Sequence, residues 1–145
     1  MNNIRKLKKS EQESAIKLLR DSFIKYRAGG DCYEEISFAR SYMMDPVAMD
    51  QLEFFGFYEG NSLCGVIAMD HQRQHIDMFT VLEHCQRKGI ARALWSYVLE
   101  HSTSQSFTVE STCHDTEMYL KLGFSKSGPE FQKNGVLCIP MRYDR

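Results

Sequence analysis

The spacing of apolar positions changes period along the chain, and each change marks a predicted element. Ile4 to Leu7 alternates and predicts a short first strand. Ser10-Glu11-Gln12-Glu13 reads as a capping box, with Ser10 at the N-cap and Glu13 three residues on. Ala15, Leu18, Leu19, Phe23 and Tyr26 then recur at helical spacing. Ala28-Gly29-Gly30-Asp31 breaks that helix, and a second helix is expected from Tyr33 to Met43. Asp45-Pro46 stops it, because the residue before a proline avoids helical geometry.

The middle of the chain reads as sheet. Leu52 to Tyr58, Leu63 to Met69 and His75 to Val81 are strand-like runs, separated by Glu59-Gly60-Asn61 and by the polar turn His71 to Gln74. Connections this short allow only an antiparallel meander. The period then lengthens. Ile90, Leu94, Tyr97, Val98 and His101 share one helical face, which predicts a helix from Gly89 to about Ser102. Phe107 to Glu110 is a further strand, joined to His75–Val81 through a full helix and so able to lie parallel to it. Thr112-Cys113-His114-Asp115 offers a threonine cap and an acidic first turn for a short helix that ends at Gly123. Pro129 to Gln132 and Val136 to Arg142 flank Lys133-Asn134-Gly135, a strong hairpin signal. The expected fold is α+β, in three layers: one domain over residues 1–145, with a mixed, mostly antiparallel sheet flanked by helices.

Composition narrows the function. A net charge of -1 argues against a general binder of nucleic acid or membrane surfaces. No run approaches the roughly 18 apolar residues of a membrane span. The basic opening, Arg5-Lys6 and Lys8-Lys9, is followed by no apolar stretch, so a secretory signal is not expected. The 5 cysteines, Cys32, Cys64, Cys85, Cys113 and Cys138, form no C-x-x-C pair, and the histidines form no ligand pattern. Reduced thiols in a cytoplasm, with no metal site and no disulfide framework, are the expectation.

The segment from His75 to Ala91 carries the chemistry. A strand ends, a short polar loop follows, and a helix begins near Gly89. A helix start presents unpaired N–H groups and the positive end of the macrodipole, which suits a diphosphate. Gly89 and the small Ala91 allow close approach to the backbone, while Arg87, Lys88 and Arg92 add positive charge. A plain strand-to-helix turn with solvated basic residues is the competing reading. The spacing is neither that of a P-loop nor that of a dinucleotide fingerprint.

Gln86-Arg87-Lys88-Gly89-Ile90-Ala91 resembles the Q/R-x-x-G-x-G/A signature of the GNAT superfamily of N-acetyltransferases. Tyr119-Leu120-Lys121-Leu122-Gly123-Phe124 is similar to that family's Tyr-x-x-x-Gly-Phe segment, and the order of elements matches over nearly the whole chain. Ala91 stands where many members have a second glycine, and Thr112 where many have asparagine. The resemblance implies an acetyl-CoA-dependent enzyme that acetylates a primary amine of a small molecule or peptide by direct attack. Residues Gln86 to Arg92 would hold the pyrophosphate, with Thr112 a further cofactor contact. It also implies that the strand before the loop splays from its neighbour, so that backbone groups around Phe79 and Val81 bind the pantetheine. Tyr119 would protonate the departing thiolate; a packed tyrosine with a locally satisfied hydroxyl is the alternative. His75 aligns with a glutamate that serves as base in histone-acetylating members, and Asp77 and Glu110 are further candidates. A water relay with no base is also open. Asp31, Glu34 and Glu35 could attract a cationic amine, and Tyr33, Phe38, Phe54 and Phe57 could line its pocket, although a loop, a solvated helix face and core packing explain them as well. The resemblance allows a homodimer, which no sequence feature demands. A non-enzymatic acyl-CoA-binding or sensory module is the competing function.

Overall fold

The computed structural model describes residues 3–27, 50–112, 115–133 and 136–145. The strands are β1 (Ile4–Lys6), β2 (Glu53–Glu59), β3 (Ser62–Asp70), β4 (His75–Val81), β5 (Ser106–Thr112), β6 (Ser125–Lys126), β7 (Phe131–Lys133) and β8 (Val136–Asp144). The helices are α1 (Lys9–Arg27), α2 (Ile90–Glu100) and α3 (Thr116–Leu122), with a 3-10 turn at Glu83–Cys85. The strands form one sheet in the order β1-β2-β3-β4-β5-β8-β6, with β7 also pairing with β8. The β4–β5 pair is parallel and the other pairs are antiparallel. The sheet is therefore mixed and mostly antiparallel, as the connection lengths require.

β3 is buried from Cys64 through Asp70, so both of its faces are covered. A half-solvated strand would alternate instead. α2 packs against β2, β3 and β4, and α3 against β5. Gly65 admits α2 closely: a Cβ there would stand 3.1 Å from Ile90 and 3.3 Å from Leu94. Trp95 of α2 sits among Phe107 of β5, Phe124 and Tyr143 of β8, with centroid separations of 5.0, 5.0 and 5.3 Å. These edge-on and tilted contacts join the crossover helix to the far half of the sheet. No described helix is long and apolar enough to cross a membrane.

Several expected boundaries move. α1 starts at Lys9, and Ser10 lies inside its first turn rather than at the cap. The Lys8 N–H donates to the Glu11 carboxylate at 2.9 Å, and the same carboxylate meets Arg5 of β1 at 2.6 Å. Glu11 thus satisfies the helix start and ties it to the first strand, a task the Ser10–Glu13 reading missed. Ala15 and Ile16 are buried, whereas Leu18 is 44% exposed and off the buried stripe. Thr112 closes β5 instead of capping α3; Asp115 takes the N-cap position, and Thr112 Oγ1 donates to its carboxylate at 3.2 Å. The expected helix at Tyr33–Met43, the Gly29-Gly30 segment, Cys113-His114 and the Asn134-Gly135 turn lie outside the described residues.

The turn from β3 to β4 is set by one carboxylate. Asp70 Oδ1 accepts from the N–H groups of Gln72 (3.0 Å) and Arg73 (3.3 Å), and Oδ2 accepts from Arg73 Nε at 2.7 Å. The Arg73 side-chain bond is the main reason the buried Asp70 carboxyl titrates below its ordinary value. A lowered folded-state pKa stabilises above the unfolded value and is lost as pH falls through the folded one. Asp70→Asn is expected to lower the urea midpoint at pH 7, and the gap from the parent should narrow below about pH 4. Phe107→Ala, at a site 1% exposed, should cost about 3–5 kcal/mol in the same measurement.

Candidate functional site

β4 and β5 pair only at His75↔Thr108 and Ile76↔Val109, and beyond Ile76 they part. The break coincides with an irregularity on the other side of β4. Met69 pairs with Ile76 and Ala68 with Met78, which leaves Asp77 as an extra residue, a β-bulge. Adjacent residues of β3 face opposite sides of the sheet, so Ile76 and Met78 do as well, despite being two apart. Simple alternation therefore does not place His75 and Asp77 on one face. The structure gives them separate partners: His75 Nδ1 lies 2.7 Å from Thr108 Oγ1 on β5, and Asp77 Oδ1 lies 3.3 Å from Arg73 Nη2. Glu110 is half-buried on β5, opposite Pro140 of β8.

The parted end of β4 runs through the 3-10 turn into the loop at Gln86. Gln86 Nε2 folds back to donate to the Val81 carbonyl at 3.2 Å. Arg87 then takes φ 67° and Gly89 φ 78°, both left-handed. Such reversals of hand tend to turn successive N–H groups into one concavity that suits an anion. Among the described residues, the backbone N–H groups from Arg87 through Arg92 have no backbone acceptor. They comprise the loop donors and the orphan donors of the first turn of α2. Gly89 is the N-cap of that helix, and the sequence reading placed the start within one residue. Ile90 is buried, so its side chain anchors the helix while its backbone remains available.

The basic side chains divide. Lys88 Nζ meets the Glu59 carboxylate at 3.3 Å, and Arg92 Nη2 donates to the Lys121 carbonyl at the end of α3, 3.0 Å away. Arg87 is exposed. An anion at this loop would meet chiefly backbone donors, with fewer free cations than the sequence suggested.

Tyr119 reaches the same opening from α3. Its ring is buried, edge-on to Phe79 at 6.0 Å and to Phe124 at 5.4 Å. Phe79 lies in the part of β4 that has left β5, so the Tyr119–Phe79 contact spans the split. The sequence named both residues without signalling that their rings touch. Phe54 is fully buried core, while Phe57 only packs against it. Asp31, Tyr33, Glu34, Glu35 and Phe38 lie outside the described residues.

A feature with no sequence signal lies beneath the loop. The side chains of Glu59, Cys64 and Cys85 converge within 4.8 Å of one another. Burial, and then the neighbouring Cys85 thiol, push the Cys64 thiol up to about 11.

The acetyltransferase (GNAT) domain family model matches residues 32–145. The chain resembles a GCN5-related N-acetyltransferase from Rhodopseudomonas palustris, with TM-score 0.81 and 14% identity over 98% of this chain and 94% of that one. It also resembles the PaiA N-acetyltransferase from Thermoplasma acidophilum in complex with coenzyme A, with TM-score 0.78 and 17% identity over 100% of both chains. A Bacillus subtilis acetyltransferase in complex with CoA gives TM-score 0.63 and 16% identity over 99% and 98%. Comparison with curated proteins returns no match. The chain belongs to the GNAT acetyltransferase family and has its fold.

The loop geometry makes a prediction about stability. A Cβ at Gly89 would meet nothing within 4 Å, so Gly89→Ala tests backbone conformation alone. It should cost about 1 kcal/mol in urea denaturation, the ordinary penalty of a left-handed residue. Gly123→Ala should cost more, because at φ 106° its Cβ would also stand 3.1 Å from Tyr143. Equal losses would show that the Tyr143 contact is immaterial.

Proposed function

We propose that this GNAT family member transfers acetyl from acetyl-CoA to a primary amine of a small molecule or peptide, by direct attack of the amine on the thioester. One observation carries the reading: the opening between β4 and β5 leads directly to the backbone donors from Arg87 through Arg92, which have no backbone acceptor among the described residues. A pyrophosphate on those donors puts the pantetheine arm in line with the opening. The coenzyme A complexes of the Thermoplasma and Bacillus proteins, which share the fold, support the same donor.

In this reading Gln86, Arg87, Lys88, Gly89, Ile90, Ala91 and Arg92 form the pyrophosphate cradle. Most act through the backbone, while Arg92 braces α3 and Thr112 braces the Asp115 turn. Backbone groups around Phe79 and Val81, in the stretch of β4 that has parted from β5, hold the pantetheine and polarise the acetyl carbonyl. Holding both reactants there removes several kcal/mol of entropic barrier, about 7 or more in well-oriented cases. The amine nitrogen bonds to the acetyl carbon, the C–S bond breaks, and the thiolate leaves. Tyr119, buried against Phe79, supplies a proton to that thiolate.

The amine must lose a proton in turn. His75 is held by Thr108, but it lies four residues before Phe79, roughly 13 Å along the strand. A base there acts through water, and Asp77, nearer by two residues, is the alternative. The thiols Cys64 and Cys85 are in no disulfide, which fits a reducing cytoplasm.

Calorimetric titration with acetyl-CoA should give saturable binding; no heat at high micromolar ligand would sink the proposal. Gly89→Val should weaken that binding by roughly tenfold or more, equivalent to about 1.4 kcal/mol. Tyr119→Phe should lower turnover by about a hundredfold while leaving cofactor affinity nearly unchanged. An unchanged rate removes Tyr119 from the mechanism. A screen of amine classes with thiol-release detection identifies the acceptor. Binding without turnover across that panel would indicate an acyl-CoA-binding or sensory module instead.

A further inference from the structure

Cys64 and Cys85 are 21 positions apart in a pattern no ligand motif describes, yet the fold brings them together. The β2–β3 register pairs Phe57 with Gly65 and Tyr58 with Leu63, so Cys64 is the extra residue of a bulge. Glu59 ends β2 at the adjoining turn. Cys85 closes the 3-10 turn after β4, and the Leu82 N–H donates to the Cys64 carbonyl at 2.8 Å, which pins that turn to the bulge. Both thiols are buried, at 1% and 2% exposure, while Glu59 is exposed.

We propose that Glu59, Cys64 and Cys85 form a binding site for one thiophilic divalent cation of the zinc type. A carboxylate oxygen and two sulfurs converge within 4.8 Å of one another. Tetrahedral ligands with metal–sulfur bonds of about 2.3 Å stand about 3.8 Å apart, so closing the site takes side-chain rotation of an ångström or less. Two thiolates select a soft ion over magnesium or calcium. The exposed carboxylate gives the ion a way in from solvent, where the fourth ligand position would open.

Binding balances as one divalent ion taken up, two thiol protons released and one carboxylate retained as ligand. The resulting charge is -1, and Lys88, already on Glu59, offsets it. Reading the pair as a disulfide instead requires an oxidant and gives the carboxylate no part. The site meets the cofactor loop twice, through the Cys85–Gln86 peptide bond and the Glu59–Lys88 ion pair. It is nonetheless independent of the acetyl-transfer reading, because its test does not use activity.

The full-length chain, reduced and stripped of metal, is titrated anaerobically with cobalt(II). A thiolate-to-cobalt charge-transfer band that saturates at one equivalent and is displaced by zinc is expected. Cys64→Ser and Cys85→Ser should abolish the band, with circular dichroism confirming that each variant is folded. Glu59→Gln, at an exposed position with little bearing on folding, should raise the cobalt dissociation constant roughly tenfold. Cys32→Ser, Cys113→Ser and Cys138→Ser should leave the band in place. Absence of the band in the parent, or its survival unchanged in both Cys85→Ser and Glu59→Gln, overturns the proposal. A Cys64–Cys85 disulfide formed in air by protein that gave no cobalt band when reduced assigns the pair to redox chemistry instead.

Discussion

The parting of β4 from β5 is the constraint on which the remaining architecture depends. Separated parallel strands leave backbone donors and acceptors without partners, which is costly unless something else takes them up. The chain sustains the gap because each strand is secured from its other side. β3 pairs with β4 from His75 to Val81, and β8 pairs with β5 along its whole length. The bulge at Asp77 supplies the bend, since an inserted residue kinks a strand and increases its twist. α2 and the rings around Trp95 then hold the two halves together across one face.

Electrostatics at the loop follow from the same economy of parts. A chain of net charge -1 has little surplus cation to gather around one loop. Lys88 is engaged by Glu59, and Arg92 by the α3 carbonyl terminus. What remains is the exposed Arg87 and oriented backbone, and the attraction of that backbone for anions is fixed by geometry and needs no flexible side chain to be ordered first. Left-handed Arg87 is the local cost of that orientation.

What the sequence discloses and what it conceals divide by the range of the interaction. The ends of β4 at His75 and Val81, the Gly60-Asn61 turn and the Gly123 stop were all legible, because turn chemistry and strand period act over a few residues. The start of α2 at Gly89 was legible for the same reason. The Asp77 bulge was not, since it exists only relative to Met69 and Ala68 on another strand. Nor was the use of Glu11 in place of Ser10 at the α1 start, which depends on Arg5 being brought close by β1. The loop from Gln86 into the helix at Gly89 could be read from the sequence, but the Tyr119–Phe79 contact and the convergence of Cys64 with Cys85 required the assembled sheet.

Trp95 is the single tryptophan of the chain, and it lies where the crossover helix meets β5 and β8, beside Phe124. Phe124 in turn touches Tyr119, which touches Phe79 at the opening. The one strong natural fluorophore is thus connected by three ring contacts to the gap in the sheet. The chain carries its own optical gauge: emission from one indole reports the seam between the halves, with no label added to the molecule.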